Sequence, residues 1–316
     1  MTGAAGFIGS HLCESLLAKN YNVTGIDNFD PFYSQRIKED NLQPALQHPN
    51  YRFIQGDAGS IDILNQISDS VDVVVHLAAK AGVLPSLKNP NLYIKANIEV
   101  TNNILEWMRS NKVKKLVFAS SSSVYGNNTK TPFEETDSVN EPISPYAFTK
   151  RSCELMNYTY HTLYGMDILN LRFFTVYGER QRPDLAIRKF VHLISNGLPI
   201  HVYGDGTTAR DYTYCLDTVS GIVSAIDYVN SRTGVYEIFN LGNNQPVSLM
   251  ELIQTIAKVC QKEPHLVFEE KKLGDVDITY ASIEKAKLHL KYQPETLLEE
   301  GISRFVSWYK EDKKIS

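Results

Sequence analysis

Short, near-continuous apolar runs alternate with segments of helical periodicity through the first half of this chain, and that alternation most limits what it can become. Val71–Ala79 (VDVVVHLAA), Lys115–Ser121 (KLVFASS) and Asp167–Val176 (DILNLRFFTV) read as strands covered on both faces. Tyr21–Asn28 and Tyr51–Asp57 read as further, shorter strands. Between them, residues 8–19, Leu92–Met108 and Tyr146–Leu163 place apolar residues at helical spacing. Doubly covered strands joined by helices imply an α/β fold with a doubly wound parallel sheet.

After residue 177 the pattern loosens, and turn signals gather at Gly204-Asp-Gly206, Gly242-Asn-Asn and Glu263-Pro. Asp217–Tyr228 (helix) and Val235–Leu241 (strand) read as returning to the first lobe. The expected division is therefore a first lobe over 1–176, rejoined by 217–241, and a smaller interwoven α/β lobe over most of 177–316.

A net charge of −4 without any basic run argues against nucleic-acid binding. No apolar stretch reaches the ~18 residues of a membrane span. Cys13, Cys153, Cys215 and Cys260 are scattered, with neither metal-ligand spacing nor a signal peptide ahead of them. Free thiols, no bound metal and a cytoplasmic location are the expectation.

Gly3-Ala-Ala-Gly6-Phe7-Ile8-Gly9 opens the chain as a turn entering a helix. Glycines there let the backbone approach a pyrophosphate, which the free N–H groups and positive dipole end of a helix N-terminus attract. The spacing departs from the usual Gly-x-Gly-x-x-Gly of a Rossmann turn. Asp27 lies at the end of the next strand, close to the ~20-residue interval expected of a carboxylate on the adenosine ribose. An acid there repels a 2′-phosphate, so NAD rather than NADP is the expected cofactor. Asp57 ends the third strand near the expected adenine position. Leu77, Ala78 and Ala79 end the fourth with small residues where a dinucleotide could pass, while His76 reads as a buried, satisfied histidine. Only Met1 and Thr2 precede Gly3, where a doubly wound sheet has its central strand. The natural protein is accordingly expected to begin several residues earlier.

Tyr146 and Lys150 stand four residues apart, on one face of a helix that Ser144-Pro145 would start. A phenol near pKa 10 is a poor base at neutral pH. The Lys150 ammonium and a positive nicotinamide ring would both favour its phenolate. Tyr146 could then take a proton from a sugar hydroxyl while hydride leaves the same carbon. A serine at the end of the fifth strand, in Ser120-Ser121-Ser122-Ser123, could relay that proton.

These motifs resemble the extended short-chain dehydrogenases, specifically the nucleotide-sugar 4-epimerases. The likeness runs almost end to end, through Thr2–His11, His76–Ser86, Ser120–Gly126, Tyr146–Lys150, Arg172–Gly178, Gly204–Asp217 and Gly274-Asp-Val276. It implies Ser121 as the catalytic hydroxyl beside Tyr146 and Lys150. It implies cofactor contacts from the glycine turn with Phe7 and Ile8, from Asp27 and Asn28, Asp57 and Ala58, and Leu77 to Lys80. Asn97, Ser120 and Phe173 would complete that side. On the substrate side it implies Ser122, Ser123, Thr175, the uridine-side pair Asp184 and Leu185, Val202 and Tyr203 flanking the uracil, and Arg210 on the diphosphate. Lys272 stands where a further basic contact is expected. Arg182 reads either as a diphosphate or sugar contact or as a salt-bridge partner.

The resemblance also bears on the reaction. Related dehydratases place an Asp-Glu pair after the catalytic hydroxyl, and related decarboxylases a glutamate where Ser123 stands. Ser122 and Ser123 fit neither, which points to C4 epimerisation. Thr279, at a position that gates the sugar pocket, is small, which admits the N-acetylated pair beside UDP-glucose and UDP-galactose, and threonine is also common there in UDP-glucuronate epimerases. Leu84 stands where UDP-glucuronate epimerases usually carry arginine, so UDP-glucose is the expected substrate. UDP-glucuronate is the alternative, with Arg182 or Arg188 as carboxylate partner. A dehydratase, a decarboxylase and an inactive NAD-binding protein stand behind these. The family pairs the helices at Leu92–Met108 and Tyr146–Leu163 across a dimer, so a homodimer is expected.

Overall fold

The computed structural model describes residues 1–270 and 278–315. The strands are β1 (Val23–Asp27), β2 (Tyr51–Gln55), β3 (Val74–His76), β4 (Lys115–Ser121), β5 (Asp167–Phe173), β6 (Thr175–Tyr177), β7 (Pro199–Tyr203), β8 (Ala209–Tyr214), β9 (Tyr236–Leu241), β10 (Pro246–Ser248) and β11 (His265–Glu269). β1 pairs with β2, and β3-β4-β5-β9 form a continuous ladder, every pairing parallel. Thr2 joins the two groups by bridging Ile26 on one side and His76 on the other. The order is thus β2-β1-Thr2-β3-β4-β5-β9, the doubly wound sheet the alternation implies.

Each face of that sheet carries its own core. Leu12, Leu16, Val117, Leu169, Val219 and Ile222 pack together beneath the helices Phe7–Ala18 and Cys215–Asn230. On the other face Ile104, Met108, Leu116, Phe118, Cys153 and Ile168 pack beneath Val100–Ser110 and Pro145–Tyr164. The second lobe contains the sheet β10-β8-β6 and the pair β11-β7. Its apolar core gathers Ile187, Val191, Ile200, Leu252, Ile256 and Phe305 from those elements and the helices over them.

Met1 and Thr2 occupy the upper part of the central slot. The Met1 ammonium donates to Thr24 O at 2.7 Å, and Thr2 N donates to Val75 O at 3.0 Å. Below them a cavity of about 1100 Å³ lies between the two strand groups, lined by Val23, Thr24, Val73, Val75, Ile104 and Trp107 among others.

Three segments depart from the periodicity reading. Val71–Ala79 pairs only over Val74–His76. Asp167–Val176 breaks at Phe174, because the chain leaves the main sheet there and β6 joins β8 in the second lobe. Leu92–Met108 is no single helix: Pro90–Tyr93 is α-helical, Ile94–Glu99 forms a π-helix, and Val100–Ser110 resumes the α-helix. All four cysteines are free. Among the described residues no helix is long and apolar enough to cross a membrane, and no group of side chains could hold a metal ion.

Candidate active site

The site forms at the carboxyl ends of the parallel strands, where the glycine turn meets β1 and β3. Gly3 has φ +73°, and a Cβ there would come within 2.8 Å of Ala78 N. A Cβ on Gly9 would collide with the Gly3 carbonyl oxygen. These two glycines therefore seat the helix against the sheet. Gly6 is different: a Cβ would touch only Gly3 O, at 3.3 Å, and Gly6 caps Phe7–Ala18 without any side-chain hydrogen bond. The first-turn N–H groups, including those of Phe7 and Ile8, are left uncapped beside an open glycine face, which fits a pyrophosphate.

Asp27 ends β1 with Oδ2 accepting from Ala5 N at 3.0 Å and Oδ1 from Phe29 N at 2.9 Å. Burial pushes its carboxyl above the usual range, while those two N–H donors and Lys38 oppose the shift. Each oxygen keeps a lone pair, so the carboxylate can still receive a ribose hydroxyl. The donor set along this edge therefore fits a dinucleotide. Asn28 Oδ1 accepts from Asp30 N, and Asp57 Oδ1 from Gly59 N, each shaping its own loop. The Ala58 side chain is buried in the core, which leaves that residue only its backbone for a ligand.

Leu77, Ala78 and Ala79 are half-buried past β3. Asn97, set in the π-helix, accepts from Lys80 N at 2.8 Å and donates to Lys80 O and Thr149 Oγ1. It pins the loop after β3 to the helix Pro145–Tyr164. The Lys80 ammonium reaches Asp30, with contacts of 2.9 and 3.0 Å to its two oxygens.

Tyr146 and Lys150 lie one turn apart on Pro145–Tyr164, whose Ser144 cap accepts from Ala147 N. The Tyr146 hydroxyl shares a hydrogen bond with Ser121, the last residue of β4. Ser121 Oγ in turn donates to Ser123 Oγ and accepts from Ser123 N, both at 3.2 Å. The electrostatics differ from the sequence expectation. Burial raises the Tyr146 phenol, and the opposing influences are Ser121 and the charge of Arg182. Lys150 donates instead to Ala119 O at 2.7 Å, with Phe118 beneath it, and burial brings its ammonium down to about 8. His76 is buried between Thr2 Oγ1 and Thr101 Oγ1, and desolvation drives it to about 3.

Ser120 Oγ donates to the buried carboxylate of Glu154 at 2.7 Å, which engages its side chain within the protein. One expected contact is corrected. Val202 is fully buried in the second-lobe core, because its place on β7 faces the helices, so its side chain cannot flank a base. Phe173 is partly buried where the two lobe cores meet.

The remaining substrate-side residues come from several strands and loops of both lobes. Ser122 and Ser123 sit in the 3₁₀ turn Ser122–Tyr125, and half-buried Thr175 opens β6 opposite Tyr212. Arg182 forks onto Asp184 at 3.0 and 2.7 Å and lies 5.1 Å above the Phe32 ring. Leu185 caps the helix Ala186–Ser195, and Tyr203 ends β7 half-buried. Arg210, on β8, donates to Ala209 O. Thr279 runs alongside, its N–H donating to Ala209 O at 3.1 Å and its Oγ1 accepting from Asp211 N at 3.4 Å. Lys272 lies outside the described residues.

The sequence reading passed over Asp30, Phe32 and Glu154. Nothing local marks the first two, which belong to a loop folded back over Lys80 and Arg182. Glu154 follows Lys150 by one helical turn, so helix periodicity alone could have found it.

Comparison with known proteins agrees with this geometry. A UDP-glucuronate 4-epimerase of Thermodesulfobacterium geofontis is 41% identical over 99% of this chain and 96% of its own length. A crystal structure of UDP-glucuronic acid 4-epimerase from Bacillus cereus, with UDP-glucuronic acid and NAD, superposes with TM-score 0.92 at 36% identity, covering 98% of each chain. UDP-glucose 4-epimerase from Thermotoga maritima, with UDP-glucose, gives TM-score 0.89 at 30% identity over 99% of this chain and 98% of that one. Residues 1–242 match the NAD dependent epimerase/dehydratase family, and with the Rossmann-type sheet, the glycine turn and the Ser121–Tyr146 pair in place, the chain belongs to that NAD-dependent family.

Proposed function

We propose that this protein inverts C4 of UDP-glucuronate. Bound NAD supplies the hydride acceptor and donor, held by the uncapped turn at Gly6–Ile8 and by Asp27. Tyr146 takes the C4 hydroxyl proton, with Ser121 on the same hydrogen bond to relay it. Arg182 supplies the positive field that favours the phenolate, with the Lys150 ammonium one helical turn away. With the C4 hydride held on the cofactor the 4-keto sugar turns over in the pocket; the hydride would return to the opposite face of C4, and Tyr146 returns the proton to the C4 oxygen.

The observation that carries the substrate is the likeness to two UDP-glucuronate 4-epimerases at 41% and 36% identity, against 30% for the UDP-glucose enzyme. UDP-glucuronate, the alternative in the sequence reading, thus replaces UDP-glucose as the main assignment. Arg182 supports it: its charge acts on Tyr146, so it lies on the sugar side, and Asp184 takes only two of the guanidinium's five N–H donors. Arg188 instead donates to Gln181 O and lies over Trp308. Purified protein given UDP-glucuronate, UDP-glucose and UDP-N-acetylglucosamine, with products separated by chromatography, tests the reading. UDP-galacturonate should form fastest. A pentose or a 6-deoxy product would remove the epimerase assignment, and faster galactose formation would restore UDP-glucose.

The cofactor lobe in this reading is 1–176 with 217–241, and UDP binds mainly to 177–316. A homodimer is part of it. Leu155, Tyr158 and Leu163 are 52, 54 and 64% exposed along Pro145–Tyr164, although Tyr160 on the same helix turns inward onto Glu106.

A further inference from the structure

We propose that Glu154 is a positioning residue for proton transfer: its buried carboxylate locks the catalytic helix to the strand end carrying Ser121 and holds a negative charge one turn from the Lys150 ammonium. The reaction as described uses Ser121, Tyr146 and Lys150 and leaves this carboxylate without a role. Glu154 is 0% exposed. Oε1 accepts from Ser120 Oγ at 2.7 Å and from Arg172 Nε at 2.9 Å. Oε2 accepts from Arg172 Nη2 at 2.9 Å and from Arg151 Nη1 at 3.1 Å.

The placement of these donors is what makes the carboxylate more than a structural anion. Ser120 and Arg172 face each other in the parallel register of β4 and β5, so Glu154 grips both strands at one level. Ser121 is the next residue. The Arg172 guanidinium lies 4.8 Å over the ring of Tyr125, whose hydroxyl donates to Asn240 Oδ1 at 2.7 Å. Tyr125 closes the turn that follows Ser121, so the network holds the catalytic serine from the residue before it and from the turn after it. The Glu154 carbonyl is fixed by Tyr236 Oη at 2.8 Å, which locks the helix backbone as well.

The second part of the role is electrostatic. The titratable groups acting on Lys150 are Glu154 and Cys153 from its own helix, with His76 across the sheet. Those around Glu154 are Arg172, Arg151 and Lys150, with Tyr236, Tyr125 and Glu135 at the edge of the network and the Ser120 hydroxyl as a neutral donor. Cys153 and Glu154 both favour the Lys150 ammonium against full burial, and burial raises the Cys153 thiol, so Glu154 is the carboxylate of the pair. Neutralising it also leaves the Arg172 guanidinium uncompensated in the same interior, and both changes disfavour the ammonium.

The test uses the full chain and whichever UDP-hexose the wild type turns over, since the proposal rests on Tyr146 and Lys150 acting as described. A wild type that turns over none removes that underlying reading before any variant is made. Glu154→Gln should lower kcat about 10- to 100-fold with KM nearly unchanged. It should also move the alkaline limb of kcat/KM to lower pH by about one unit. Glu154→Gln/Arg172→Met removes both buried charges and should recover Tm without recovering kcat. Recovery of kcat together with Tm would reduce Glu154 to a fold-stabilising residue and overturn the proposal, as would an unmoved pH limb in active Glu154→Gln. Should both fail to fold, Ser120→Ala decides. It deletes one hydrogen bond, and kcat should fall about 3- to 10-fold at constant KM; a wild-type kcat overturns the positioning role.

Discussion

The Lys150 ammonium donates to the main-chain carbonyl of Ala119 at 2.7 Å, on the strand that ends two residues later in Ser121. The cation is thereby anchored behind the serine turn, one helical turn from Tyr146. Ser121 and Tyr146 share a hydrogen bond, and Lys150 is tied to the same strand two residues before that serine.

Removing either the phenol or the ammonium should abolish turnover and spare binding. Tyr146→Phe and Lys150→Met are each expected to lower kcat by about 10²- to 10⁴-fold, with UDP-sugar affinity within a few-fold of wild type. Because burial brings Lys150 down to about 8, the ammonium is lost as pH rises through that value. Wild-type kcat/KM should decline above about pH 8. A flat profile to pH 10 in a rate-versus-pH series would show that the ammonium is not required.

His76 makes folding stability acid-sensitive. It stays neutral in the native protein to about pH 3 but has an ordinary value of 6.5 once unfolded. Between those values the unfolded chain binds more protons, so stability falls as pH drops below 6.5, by up to about 1.4 kcal/mol per pH unit from this residue. Urea midpoints taken from pH 7 to pH 5 should fall less steeply in His76→Gln than in wild type. Identical slopes would contradict the assignment.

Asp27→Asn keeps an acceptor for one of the two N–H groups that Asp27 now receives, and removes the charge. Loss of a charge-assisted hydrogen bond of about 1.5 to 3 kcal/mol should weaken NAD binding roughly 10- to 100-fold and narrow its preference over NADP. Fluorescence titration with both cofactors measures this. Unchanged NAD affinity would place the ribose elsewhere.

Arg182→Leu separates the two sugar readings. Where the guanidinium meets the glucuronate carboxylate, its loss leaves a desolvated charge unpaired and should cut kcat/KM for UDP-glucuronate about 10²-fold or more, with under 10-fold for UDP-glucose. Equal losses on both sugars would make Arg182 a diphosphate or phenol-side residue.

The exposed stripe Leu155–Tyr158 predicts assembly. Sedimentation of wild type should give a dimer, and Tyr158→Glu a monomer that retains its fold by circular dichroism, because a charge in the centre of an apolar interface is left unpaired. A wild-type monomer at working concentration would reject the homodimer.

Much of this protein was legible along the chain. β4 spans Lys115–Ser121, as its apolar run implies, and the helix of Tyr146 and Lys150 runs from Pro145 to Tyr164 behind its Ser-Pro start. Those features follow from local causes: doubly buried strands need continuous apolar residues, and a proline at a first helical turn costs no hydrogen bond. Other features had no local cause. Val202 reads like any strand valine and is buried only because helices cover that face of β7. Asp167–Val176 is one apolar run, yet it divides at Phe174 because two sheets compete for it. The sequence alone determined the parallel α/β architecture and singled out the serine, tyrosine and lysine proposed to do the chemistry, since periodicity and residue type set those. Only the tertiary structure decided that Lys150 anchors to Ala119, that Asp30 reaches Lys80, and that Ser120 and Arg172 meet at Glu154, because the packing of the sheet and its helices brings residues from distant parts of the chain into one dry interior.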